Sequence, residues 1–303
     1  MTVLIFFISA LIIYFSLPPY WCILLGLLIS FILPPSPLVQ KYGKKWSARL
    51  LQASIVLLGA ALNFQSVLKE GSQGIIITAI SISTVFALGF VLAKLFKVTA
   101  PLSTLITTGT SICGGSAIAA ISPIIKASSL SMATSLAIVF LLNTVAVFIF
   151  PTLGHFFQLS QEQFGVWAAL AIHDTSSVVA ASQIYGDEAL KIGTTLKLTR
   201  ALWIIPLSLI FAGITKSKNK ITIPWFIFLF LLMSLTFTLF TDLNFLLPYF
   251  SKASKMGLSL TLFLLGLGIN KEQMKTIGVR PILFALSLWV ITSIGSLVLV
   301  KYL

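Results

Sequence analysis

The chain reads as an all-α polytopic membrane protein with about ten or eleven transmembrane helices, two of them discontinuous. Three observations lead there. Of 303 residues, 58% are hydrophobic and only 9% charged, and the mean hydropathy is +1.07. The apolar residues fall into repeated runs of roughly 17–25, the length that crosses a bilayer as a helix. Two of these runs are interrupted midway by glycine, hydroxyl and ionisable residues, which make poor continuous helix.

In chain order the spans fall near 2–17, 20–33, 47–64, 73–95, 101–125, 128–150, 163–186, 190–214, 222–241, 252–270 and 276–301. The second is short enough to be tilted or partly re-entrant. Met1 to Ser16 lacks the basic stretch of a cleavable signal, and Pro18-Pro19 leads into another apolar run, so a first hydrophobic hairpin is expected. The whole of 1–303 is read as a single transmembrane domain, with the breaks near 101–125 and 163–186.

A net charge of +13 in a soluble protein would point to nucleic acid. Here the basic residues lie mostly between apolar runs, as membrane topology requires. With the N-terminus cytoplasmic, inner loops receive Lys41, Lys44, Lys45, Arg49, Lys94, Lys97, Lys216, Lys218, Lys220, Lys271, Lys275 and Arg280. Outer loops receive Lys69, Lys126, Lys191, Lys252, Lys255 and Lys301. That excess places the N-terminus inside, although the supposedly inner loop 151–162 carries no basic residue. Cys22 and Cys113 both lie in apolar runs and outline no disulfide framework.

The first break is Thr107-Thr108-Gly109-Thr110-Ser111-Ile112-Cys113-Gly114-Gly115-Ser116-Ala117-Ile118. Hydrocarbon cannot satisfy the backbone groups that a break frees, so it survives only where it lines a cavity or a site. The N-terminus of the half-helix that follows offers partial positive charge, which suits an anion. The second break holds His173 and Asp174, followed by Thr175, Ser176 and Ser177. Asp174 alone among the seven acids lies deep in a span, where an ionisable group is by default functional. It is also well placed to cap the half-helix beginning at Thr175. A merely structural cap on a break, with His173 bonded to a neighbour, is the bland alternative.

Lys197 and Arg200 lie three apart and share one helix face inside a span. They either snorkel to an interface or give an anion a positive partner, with Arg able to grip an oxyanion by two bonds. Asn143, like Asn63 and Asn270, reads first as helix–helix glue, and Cys113 as a small packing residue. No phosphate-binding GxxxxGK[ST] loop, HExxH or Cys/His cluster is present, so no cofactor or metal is expected. Two echoes hint at duplication. Leu57-Leu58-Gly59 with Asn63 and Gly71 matches Leu264-Leu265-Gly266 with Asn270 and Gly278, and Cys113-Gly114-Gly115-Ser116 matches His173-Asp174-Thr175-Ser176. The echoes come in different orders in the two halves, so plain tandem duplication does not explain them. An inverted-repeat transporter architecture is expected.

The motif from Gly109 to Ala120, with Asn143, Phe150-Pro151, Phe164-Gly165, Ala171 to Val179, Tyr185-Gly186 and Lys197-Leu198-Thr199-Arg200, resembles the YeiH family of bacterial inner-membrane proteins, described as sulfate exporters. The resemblance runs from Leu57 to about Gly278. It implies a transporter related to the bile acid symporter superfamily, with a panel domain, a core domain and two discontinuous helices crossing near mid-membrane, and a sulfur oxyanion or organosulfonate as substrate. The expected function is secondary active transport of a small anion coupled to protons or Na⁺. Thr110, Ser111, Cys113, Gly114, Gly115, Ser116, Asn143, Thr175, Ser176, Ser177, Lys197 and Arg200 would bind substrate, and His173 and Asp174 would couple the ion. The rivals are a cation-coupled importer of an organic anion, a passive anion channel, and an intramembrane enzyme built on Cys113 or His173-Asp174. The partners expected are the anion, the coupling ion and the lipid bilayer, without nucleic acid, and the assembly is a monomer or a homodimer.

Overall fold

The computed structural model describes residues 2–15, 17, 19–33, 42–216, 225–268 and 278–302, and every regular element among them is helical. Each expected segment corresponds to one helix or to a pair. The helices are α1 (Thr2–Phe15), α2 (Pro19–Ile32), α3 (Lys44–Ala60), α4 (Phe64–Phe96), α5 (Ala100–Ser111), α6 (Gly115–Ile124), α7 (Ser129–Phe156), α8 (Gln161–Ala171) and α9 (Thr175–Tyr185). They continue with α10 (Asp187–Leu202), α11 (Ile204–Thr215), α12 (Trp225–Leu239), α13 (Leu247–Leu267) and α14 (Val279–Lys301). Asn270, Lys41, Lys218, Lys220, Lys271, Glu272 and Lys275 lie outside the described residues. Among those described, α4, α7, α10–α11 and α14 are long and apolar enough to cross a membrane, and α12 with Thr241–Leu264 forms a fifth candidate bent by 113°. The protein is a polytopic membrane protein.

The chain forms two compact units, Met1–Lys69 with Trp225–Lys271, and Glu70–Pro224 with Glu272–Leu303. In the first, α3 and α13 pack side by side, with the Ser254 hydroxyl donating to Ser54 O at 2.7 Å. Two glycines set the contacts to the outer helices. A Cβ on Gly59 would lie 2.5 Å from Phe230 O in α12, and one on Gly26 in α2 would lie 3.0 Å from the Gly266 Cα in α13. Asn63 caps α4 locally, its Oδ1 accepting from Gln65 N at 2.9 Å and Ser66 N at 3.2 Å.

In the second unit the interruptions stand where the sequence places them, but the two halves of each segment fold back on one another. Phe164, near the start of α8, stacks on Tyr185 at the end of α9, with ring centroids 3.8 Å apart. Tyr185 Oη donates to Leu159 O at 2.5 Å, and Gln161 Oε1 accepts from Glu188 N at 2.9 Å. A helix running straight from 161 to 185 would separate its ends by about 36 Å. Segment α8–α9 is therefore a re-entrant hairpin. So is α5–α6: a Cβ on Gly109 would lie 2.8 Å from Ile118 Cδ1, and Leu105, Ile118, Ile121 and Ile124 share one buried cluster. A continuous helix would hold Gly109 and Ile118 about 13 Å apart along its axis.

The hairpins enter from opposite ends of this unit. Thr215 Oγ1 donates to Ile124 O at 3.0 Å, so α11 ends where α6 returns, at the end that carries Lys97, Lys126 and Lys216. Lys301 Nζ lies 5.2 Å from the Phe157 ring, so α14 and α7 finish together at the other end, where α8 begins. The loop 151–162, without a basic residue, thus sits opposite the lysine-rich end. This corrects the expected topology: the two interrupted segments do not pass through, and Lys126 joins Lys97 rather than facing it.

Candidate functional site

The hairpin tips meet. After Ser111 the chain leaves the helix at Ile112 (φ −120, ψ −89) and turns at Gly114 (φ 63, ψ −124), a conformation that favours glycine. A Cβ on Gly114 would lie 3.0 Å from Asp174 Cβ, so only a residue without a side chain lets the tips touch. Asp174 is the N-cap of α9. Its Oδ2 accepts from Ser176 N at 3.1 Å and from the Ser176 hydroxyl. Asn143, from the middle of α7, steadies this turn by accepting the Asp174 N–H at 3.2 Å on Oδ1.

A helix end leaves its last carbonyls without intrahelical partners, and here each of them can be traced. In α5, Thr108 O accepts from Ile112 N and Gly109 O from Gly114 N. Thr110 O and Ser111 O accept from Arg200 Nη2 at 3.3 Å and Nε at 2.5 Å. In α8, Ala168 O accepts from Ile172 N. Ala169 O and Leu170 O accept from Arg200 Nη1 at 3.0 and 2.6 Å, and Ala171 O from Trp289 Nε1 at 3.1 Å. Lys197 Nζ adds bonds to Ala169 O at 3.3 Å and Ile172 O at 2.7 Å. One guanidinium thus clamps the carbonyl ends of both hairpins. Arg200 and Lys197 are fully buried, which rules out snorkelling.

The amide ends differ. The start of α9 is capped by the chain's own carboxylate, whereas α6 begins at Gly115 with no side-chain cap, and Ser116 in its first turn is exposed. Around the tips several buried polar atoms have no partner among the described residues: Thr110 Oγ1, Asn143 Nδ2 and both ring nitrogens of His173. The resulting chemistry combines a permanent positive charge, an open helix N-terminus and unpaired donors and acceptors, with Asp174 as the acid at the meeting point.

The family model described as Conserved hypothetical protein 698 matches residues 1–285. The chain belongs to this family. Its relatives carry the name UPF0324 membrane protein. The one from Bacteroides thetaiotaomicron is 43% identical over 86% of this chain and 80% of its own length. That from Geobacter sulfurreducens is 46% identical over 85% of this chain and 83% of its own length. The Shewanella oneidensis protein is 40% identical over 99% and 95%. The resemblance to the YeiH family read from the motifs is thereby upheld. No solved structure matches the chain.

Within this UPF0324 chain, the residues singled out by sequence gather at the tips: Thr110, Ser111, Cys113, Gly114, Gly115, Asn143, His173, Asp174, Thr175, Ser176, Lys197 and Arg200. Thr175, Ser176 and Ser177 are buried in the first turn of α9, and Cys113 is buried beside Gly114. Lys197 and Arg200 donate their hydrogen bonds to backbone carbonyls of the two hairpins. Sequence reasoning missed Trp289, which satisfies Ala171 O and whose ring lies 6.1 Å from that of His173. A tryptophan deep in an apolar run was its only signal, since the indole N–H needs a partner there.

Proposed function

We propose that this chain is a secondary active transporter of a small anion, a sulfur oxyanion or organosulfonate, in the bacterial inner membrane with its N-terminus in the cytoplasm. The observation that carries the reading is the asymmetry at the hairpin tips. Every carbonyl end is satisfied from within, while the amide end of α6 has no side-chain cap. The anion would take its bonds from the backbone of Gly115 and Ser116 and the Ser116 hydroxyl. His173 and Asp174 would couple movement to protons or Na⁺. Two hairpins entering from opposite ends support alternating access, since either could release its tip from the other. A saturable, gradient-driven flux separates this carrier from a channel, and full activity of Cys113→Ser would separate it from a thiol enzyme.

The test is the melting temperature of the purified protein against sulfite, sulfate and small sulfonates. A ligand at a hundredfold excess over its Kd adds about 2.7 kcal/mol to apparent stability. A rise with one of these anions that Ser116→Leu removes is the expected result. No rise with any anion would sink the reading. Asp174→Asn keeps an oxygen that can accept from Ser176 N, so the protein should fold and bind anion while coupled uptake into vesicles is lost. Normal coupled uptake by that variant would remove Asp174 from the mechanism.

A further inference from the structure

In transporters built on interrupted helices, the amide ends face anionic substrate while the carbonyl ends coordinate the coupling Na⁺. Thr110 O, Ser111 O, Ala169 O, Leu170 O and Ile172 O form such a group of carbonyls, drawn from both hairpins. We propose that Arg200, with Lys197 beside it, is a resident cation standing where a transported one would bind. The anion is then carried against a fixed positive charge, and no Na⁺ binds at the carbonyl ends of α5 and α8. This rests on the transporter reading and narrows it, removing Na⁺ from the candidate coupling ions.

The geometry argues for replacement rather than mere proximity. A carbonyl has two lone pairs, so accepting one N–H does not by itself exclude a metal ion. Position does. The guanidinium lies among the carbonyls it bonds, at 2.5 to 3.3 Å, and bridges Thr110 and Ser111 on one hairpin to Ala169 and Leu170 on the other. A Na⁺ drawing on both hairpins would need that same space. The planar fork of arginine can serve two pairs of oxygens at once and does not lose its proton, which a lysine in its place could not match. Lys197 then takes Ile172 O and shares Ala169 O. Asp174, the acid at the hairpin tips, has its Oδ2 turned to Ser176. A fully buried cation is expensive in a membrane and marks a function by default. Glue alone would not need a charge there.

The proposal is tested by thermal unfolding of the purified protein in NaCl against choline chloride at equal ionic strength. Wild type should melt at the same temperature in both salts. A saturable stabilisation specific to Na⁺ would overturn the proposal without any variant. Arg200→Ala and Lys197→Ala should melt several degrees lower and be restored by cations that fit the vacated space, guanidinium at low millimolar concentration for the first, and Na⁺ or methylammonium for the second. Folded variants that no cation restores would reduce both side chains to structural braces and overturn the proposal. Should Arg200→Ala not fold, Arg200→Lys serves in its place: it should melt below wild type and gain nothing from guanidinium or Na⁺, because the lysine still fills the cation's place, and a saturable Na⁺-specific stabilisation of that variant would overturn the proposal. Anion-induced shifts recorded in the same two salts keep the two readings apart. Equal shifts in both are expected. A shift seen only in Na⁺ overturns this inference and leaves the transporter, whereas no shift in either removes the transporter reading and this inference with it.

Discussion

Asn143 shows what one buried polar side chain does in this molecule. In sequence it reads as glue between helices. In the structure it accepts the Asp174 N–H, a backbone donor at a turn that hydrocarbon could not satisfy. Asn143→Leu should therefore cost about 1–3 kcal/mol, the penalty for a stranded buried donor, whereas Asn143→Asp keeps an oxygen in place and should cost less. Unfolding midpoints of the two variants check the order, and equal losses would mean that the bond does not matter. Gly114 makes the complementary case. Its φ of 63 and ψ of −124, with Asp174 Cβ 3.0 Å from where a side chain would begin, leave no room for alanine. Gly114→Ala should lose stability through strain of about 1–3 kcal/mol and abolish anion-induced stabilisation by parting the tips. An unchanged melting point would show that the turn tolerates a side chain. Both roles were half legible beforehand. A glycine-rich break and an acid followed by hydroxyls announce a site, but which atoms meet depends on two segments coming together from afar.

At the scale of elements, the sequence conveyed where helices begin, end and break, because glycine, proline and N-cap chemistry act locally. Ser160 and Gln163 form a capping box at the start of α8, and Ser128 caps α7 by accepting from Ser131 N. Return versus passage was not legible in the same way. A 25-residue apolar segment with a central break has the length of a membrane span whether it crosses or folds back, and only contacts between its ends distinguish the two. One trace was visible in the charges. Reading both segments as crossings put the lysine-free loop 151–162 on the side that should be basic, and hairpins remove the discrepancy. The return of α8–α9 is directly testable. Cysteines at Phe164 and Tyr185, in a background with Cys22 and Cys113 replaced by serine, should be joined efficiently by a short bifunctional thiol reagent, since the native rings stack at 3.8 Å. A segment that crossed would hold these positions about 30 Å apart, and absence of the cross-link within one chain would restore a crossing helix.

Across the whole molecule, the two echoes make sense once the hairpins are in place. In the first unit the echoed glycines, Gly59 and Gly266, sit at close contacts of α3 with α12 and of α13 with α2, so each of the two central helices holds the helix that precedes the other. Gly257 makes a third close contact, for a Cβ there would lie 3.3 Å from the Ser54 Cβ and 3.7 Å from Leu50 Cδ1 in α3. In the second unit the α5–α6 hairpin enters from the end that carries Lys126 and the α8–α9 hairpin from the other, so the second hairpin is turned over relative to the first. This orientation also fixes a topology for the second unit that differs from simple counting of apolar runs. Lys97, Lys126 and Lys216 share one end, each at a helix terminus with positive φ, while Gln158 and Lys191 lie at the other. Single cysteines at these five positions, again with the native cysteines replaced, should divide into two groups toward a membrane-impermeant thiol reagent applied to intact cells. Gln158→Cys and Lys191→Cys should be labelled from outside, and Lys97→Cys, Lys126→Cys and Lys216→Cys only after the membrane is opened, in accord with the positive-inside rule. Labelling of Lys126→Cys together with Lys191→Cys would mean that α5–α6 crosses after all, and the inverted relationship of the two hairpins would fall with it.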